Sequence, residues 1–183
     1  MSTRVTKDFT FLSSLHFDDR FMVNLYEMNT SMVVETFDML DQNIAIERMT
    51  YFISHTLEDC IFVNQEDKEA IEKYNNAGMR VVEVPEDPYD QILGLLIINK
   101  CNAIMEGRLH LSDIVFGSKL SNLIKFELTS EMAINEYPGK HWWNDHTLST
   151  TTKSRKKDKI VKLFDQNTPD WATLELTWTK KSL

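Results

Sequence analysis

Glycine is scarce in this chain, with five residues in 183, and no two lie closer than ten positions apart. A loop that cradles phosphate needs clustered glycines so that backbone N–H groups can approach the ligand. P-loop and dinucleotide-binding fingerprints are therefore absent, and so are HExxH, CxxC and GxSxG. Cysteine is limited to Cys60 and Cys101. Both fall in predicted helices, where reduced, buried thiols need no disulfide. No apolar run approaches the roughly 18 residues of a membrane span, and the polar N-terminus has no signal-peptide core. The expected location is the cytoplasm, with no membrane partner.

What is present is ordinary for a globular protein: 42% hydrophobic and 26% charged residues, enough for one domain with a real core. The net charge of −8 hides a split. Residues 1–150 carry 12 basic and 24 acidic side chains, and residues 151–183 carry 8 and 4. An acidic body disfavours nucleic acid, whereas the basic end leaves it open.

The stretch from Pro85 to Arg108 reads as a central helix. Asp87 is placed to cap it, Pro88 to open it and Asp90 to sit at its third position. Gly107 is placed to end it. Ile92 to Ile98 is apolar except for Gly94, so this helix should be buried almost all round. Residues 9–38 suggest an antiparallel meander, with turns at Asp18-Asp19-Arg20 and Asn29-Thr30-Ser31. An amphipathic helix follows from Asp41 to about Asp59. Next come a strand at Ile61–Val63, a helix capped by Asn64 and ending at Gly78, and a strand at Arg80–Val84. After the central helix, strands are expected at 109–116 and 123–129. Alternating Ala172, Leu174, Leu176 and Trp178 predict the second arm of a C-terminal hairpin. The expected fold is α+β: a mixed sheet, a buried central helix and two further helices mainly on one face. It divides into a body over 1–136, a polar loop over 137–159 and a hairpin over 160–183, together forming a single domain.

Five groups of residues are candidates for chemistry. Glu83, Glu86, Asp87 and Asp90 could bind a divalent cation, although carboxylates at a helix N-terminus serve that helix first, and capping is the preferred reading. His141 and His146 beside Asp145 miss helical ligand spacing by one residue and lack a third ligand, so no metal or cofactor is expected. Trp142 and Trp143, with His141, form the candidate protein-binding site. The opposing reading is that both indoles fold back over an open end of the sheet. Lys153, Arg155, Lys156, Lys157, Lys159 and Lys162 form the candidate nucleic-acid-binding strip. Glu47-Arg48 and Glu106-Gly107-Arg108 could meet in a cleft at the end of the central helix.

The segments Asn43–Arg48, Pro85–Arg108 and the Trp142-Trp143 loop together resemble an uncharacterised family of small proteins from large tailed bacteriophages. The resemblance spans about residues 40–145 and brings no catalytic residues with it. It implies an accessory protein acting in the infected cell's cytoplasm by binding a host or phage macromolecule. The expected function is accordingly a non-enzymatic binding module that engages a protein through residues 141–162 and the hairpin. The alternatives are a nucleic-acid-binding factor using residues 153–162 and a metal-dependent enzyme acting on nucleotides.

Overall fold

Two consecutive aspartates, Asp18 and Asp19, both adopt left-handed φ (53° and 57°) and reverse the chain between two long strands. β1 spans Arg4–Phe17 and β2 spans Arg20–Val34, paired antiparallel along their whole length. The two-residue turn with both φ positive matches the right-handed twist of the strands it joins. The computed structural model describes residues 3–122 and 124–150, all within one compact unit.

The second turn expected at Asn29-Thr30-Ser31 does not form. β2 runs through it, with Thr30 opposite Lys7 and buried, its hydroxyl donating to the Lys7 carbonyl at 2.8 Å. A polar residue that finds its partner inside the ladder has no reason to turn. The strand ends at Val34, and Phe37 is 87% exposed.

α1 covers Met39–Tyr51, capped by Asp38, and continues as a π-helical segment, Phe52–Leu57. β3 (Cys60–Asn64), α2 (Lys68–Asn76) and β4 (Arg80–Val84) follow. Cys60 therefore opens a strand, and Asp67 rather than Asn64 caps α2, accepting from the Ala70 N–H. α3 spans Asp90–Met105, β5 Leu109–Ser118, β6 Lys125–Thr129 and α4 Ser130–Glu136. A short 3-10 turn at Trp142–Asn144 completes the described chain.

The fold is α+β. Its six-stranded mixed sheet has the order β4-β3-β1-β2-β5-β6, parallel at β1/β3 and β3/β4 and antiparallel elsewhere. β3-α2-β4 is a parallel βαβ unit, as the sequence predicts. β4-α3-β5 is not a second one between neighbours, because the β1–β2 hairpin and β3 separate the two strands. α3 instead crosses the sheet and packs on β5 and β6. The main core, on this inner face, joins Phe11, Tyr26 and Met32 to Met49, Phe52, Leu96 and Ile104. α2 covers the opposite face, where the outward residues Ile61, Val63 and Val81 meet Ala70 and Tyr74 in a smaller core. The pleat makes this division inevitable, since Phe62, between Ile61 and Val63, points to the other side. The helices thus occupy both faces. The predicted hairpin at 160–183 lies outside the described residues.

Gly94 explains itself by proximity: a Cβ there would stand 2.3 Å from Cδ1 of Leu128 and 3.3 Å from Phe116. The interruption in the apolar run lets α3 lie close against β5 and β6.

Candidate functional site

The amino end of α3 opens onto a cavity of about 400 Å3, walled by Leu15, Phe17, Met22, Phe126 and the α3 entry. Helix entry differs from the sequence expectation. Tyr89 is the N-cap and supplies no side-chain hydrogen bond. Asp87 is turned away, its Oδ1 accepting from Nδ2 of Asn64 at 2.9 Å, which ties the α3 entry to the end of β3. Asp90 is the first helical residue, and its carboxylate points inward. Its two oxygens accept from the hydroxyls of Ser118 (3.0 Å) and Ser121 (2.7 Å), across the turn between β5 and β6. The helix dipole and these two donors stabilise a buried carboxylate that has no cationic partner among the described residues.

Asn24, on β2, lines the same cavity and is 2% exposed. Its Oδ1 accepts from the Leu120 N–H at 3.2 Å. Its Nδ2 and the Tyr26 hydroxyl are the two buried side-chain polar atoms without a hydrogen-bond partner among the described residues. Burial pushes the Tyr26 phenol up; the nearby Asn24 side chain draws it part of the way back, and the Asp90 charge adds to the rise. Asn24 and the Tyr26 hydroxyl adjoin and interact within the core. Arg20 and Asp18 stand at the rim.

A second polar group lies midway along α3. Lys100 is fully buried, yet its Nζ donates to the carbonyls of Trp142 (2.7 Å) and Asp145 (2.9 Å). It also faces the rings of Trp142 and Phe52 at 5.9 and 6.0 Å. Loss of hydration lowers the Lys100 ammonium to about 8, against a smaller opposing pull from Asp145. A hydrogen bond from the Thr147 backbone, with Lys100 close by, holds the Asp145 carboxyl below its usual range. This lysine fastens the loop after α4 to the core.

That fastening decides the tryptophan pair. Trp142 and Trp143 are each 4% exposed and belong to the main core. Their indole N–H groups donate to the carbonyls of Glu83 (2.8 Å) and Tyr137 (3.2 Å). The expectation that they anchor a protein partner is corrected: both rings fold back and close one end of the core. His141 remains outside, stacked on Trp143 at 4.4 Å. His146 lies near Asp145 at 3.6 Å. No group of three His, Cys, Asp or Glu side chains suited to a metal occurs among the described residues.

At the far end of α3, the charged pairs do meet. Glu106 takes a left-handed conformation (φ 53°) and receives Arg48 at 2.9 Å and Arg108 at 2.7 Å. Arg108 also reaches Asp41 at 3.3 Å. The hydrogen bond from Arg108 and the Arg48 charge hold the Glu106 carboxyl below its usual range. On the outer face, the His16 ring bridges Tyr74 (Nδ1 to hydroxyl, 2.9 Å) and Asp67 (Nε2 to Oδ2, 3.2 Å), pinning α2 to β1.

Of the acidic cluster, Asp87 and Asp90 are separated by these different partners, and Glu86 faces Tyr137. Sequence reasoning placed Asp90 at the helix start but missed its serines and Asn24. Nothing in residues 118–121 marks them as its partners, because strand pairing brings them there. The strip of Lys153, Arg155, Lys156, Lys157, Lys159 and Lys162 lies outside the described residues.

No protein-family model matches this chain, and no curated protein matches it either. Among solved structures, its fold is similar to that of an uncharacterized protein, WS1659, from Wolinella succinogenes. The TM-score is 0.51 at 9% identity, and the match covers 71% of this chain and 99% of that one. At this identity the likeness concerns the fold alone.

Proposed function

We propose that this protein is a non-enzymatic binding protein whose recognition site is the cavity at the amino end of α3. The observation that carries the reading is a cavity of about 400 Å3 whose walls, Leu15, Phe17, Met22 and Phe126, are apolar beside the polar groups of Asp90 and Ser121. A largely apolar recess with a few convergent polar groups is the ordinary form of a small-molecule site. Asp90 supports binding over proton transfer, because both its oxygens already accept serine hydroxyls. The wider role, as an accessory factor acting on a host or phage macromolecule, rests on the sequence resemblance.

The test uses the neutral dye N-phenyl-1-naphthylamine, which fluoresces in apolar surroundings. Saturable one-to-one enhancement is expected with the native protein. It should be lost in Met22→Trp, which fills the cavity, with circular dichroism unchanged. Absence of binding to the native protein, or equal binding to a folded variant, would overturn the reading.

The excess of basic residues in 151–183 supports a second reading, nucleic-acid binding through Lys153 to Lys162. It requires affinity that falls steeply with salt. Failure to shift single- or double-stranded nucleic acid at low salt would refute it.

A further inference from the structure

We infer that β6 is a self-recognition edge, at which a second copy of this chain pairs antiparallel with the first about Phe126. β6 ends the sheet, with β5 on one side and no strand on the other among the described residues. At the opposite edge, β4, the Trp142 indole already holds the Glu83 carbonyl. The phase of the ladder fixes which groups face the open edge. Lys119 donates its backbone N–H to the Leu25 carbonyl at 3.1 Å. Bonded pairs alternate along an antiparallel ladder, so Gly117 and Val115 also bond to β2, and Phe116 and Ile114 turn to β6. Phe126 and Leu128 return those bonds, which directs the N–H and C=O groups of Lys125 and Glu127 at the open edge. No backbone group of the described residues pairs with them there. Such a row is a template for another strand.

Charge selects the occupant. Ile124-Lys125-Phe126-Glu127-Leu128 is its own antiparallel complement. A two-fold axis at Lys125 would set two lysines opposite each other, and one at Glu127 two glutamates, which destabilises a strand pair. An axis at Leu128 would set Lys125 against α4 of the copy, outside any ladder. An axis at Phe126 sets Lys125 opposite Glu127 twice, with Ile124 against Leu128 on the other face. Both charges are placed to serve this register. Glu127 is exposed and has no ion pair among the described residues. Lys125 reaches Glu27 at 3.0 Å across the bare Gly117 and is still half exposed. Apolar side chains are also exposed beside this edge: Ile124 (57%) where the strand begins, and Met132 and Ile134 on the helix that follows it. An edge of five residues makes a small interface, so the association is concentration-dependent.

Sedimentation velocity on the full-length protein, from low micromolar to near-millimolar concentration, is expected to show a reversible monomer–dimer equilibrium. Lys125→Glu and Glu127→Lys should each weaken dimerisation by at least tenfold with circular dichroism unchanged, because each sets like charges opposite at both positions. Mixed in equal amounts, the two variants should associate to within about threefold of the native affinity, since each then faces its opposite. The Lys125 and Glu127 amides of the native protein should exchange more slowly as concentration rises. A monomer at every concentration, a dimer indifferent to either reversal, or variants that stay apart when mixed overturns the inference. Full protection of those two amides in the monomer gives the edge to another occupant and overturns it equally. Should Lys125→Glu not fold, Glu127→Lys and the exchange measurement decide.

Discussion

Replacing Lys100 with methionine should change how the protein's stability depends on pH. Methionine keeps an unbranched stem against Phe52 and Trp142 but removes the Nζ that serves the Trp142 and Asp145 carbonyls. In the folded chain the ammonium titrates at about 8, against an ordinary value of 10.5. Between those values the unfolded chain holds the proton and the folded chain does not, so this residue makes stability rise with pH. Linkage between these two pKa values gives a rise of about 1 kcal/mol between pH 8 and pH 9, approaching about 3 kcal/mol at completion. Cys60 and Cys101 act in the opposite sense, since burial pushes both thiols up to about 12. The quantity to measure is therefore the difference in urea-unfolding free energy between native protein and Lys100→Met, in which the thiol contributions largely cancel. That difference should increase by about 1 kcal/mol from pH 8 to pH 9. A difference that stays flat from pH 7 to pH 9 would refute the assignment of Lys100 as a buried, titrating cation.

Other consequences follow from packing and pairing. Gly117→Ala places a Cβ 2.5 Å from the Ile124 backbone carbonyl, which cannot swing aside as a side chain can. Urea melts should show a loss of about 1–3 kcal/mol; unchanged stability would count against this close approach. Asn102 accepts from the Leu111 N–H (2.7 Å) and donates to its carbonyl (3.0 Å), joining α3 to β5. Asn102→Ala leaves both backbone groups unpaired and should cost about 1–3 kcal/mol, together with faster hydrogen exchange at Leu111. Trp142→Ala should lower stability by about 3–5 kcal/mol, as for other buried aromatics. Only a fully native melting temperature would return Trp142 to the surface role the sequence suggested.

Where the information is local, the sequence is readable. Arg80–Val84 emerges as a strand with the bounds anticipated, because alternation and Pro85 act within a few residues. The apolar run from Ile92 to Ile98 announces a buried helix whatever surrounds it, and Asp18-Asp19 announces a turn that tolerates left-handed backbone. Asn29-Thr30-Ser31 looked equally turn-like and is strand, since Lys7 and Ser112 supply its hydrogen bonds from elsewhere in the chain. α4 passed unnoticed, since Ser130–Glu136 makes two short turns with Ala133 as its only fully buried residue, too few for a period to show.

The candidate site was legible only as separate pieces. Glu47-Arg48 and Glu106-Arg108 stand out as charged residues beside apolar faces, and the fold joins Arg48, Glu106, Arg108 and Asp41. Asp90 reads as a helix-start carboxylate, but its meeting with Ser118, Ser121 and the neighbourhood of Asn24 depends on strand order. The sequence by itself determined the α+β class, the buried α3, the first hairpin turn and the split in charge, all set by periodicity and composition. Tertiary structure alone decided that Trp142 and Trp143 face inward, that Lys100 holds their loop, and that a cavity opens where α3 begins. Those outcomes depend on pairs such as Lys100 with Trp142 and Asn24 with Leu120, distant along the chain and joined only once the sheet is assembled. Pairing energy at that separation leaves no periodic mark in the sequence.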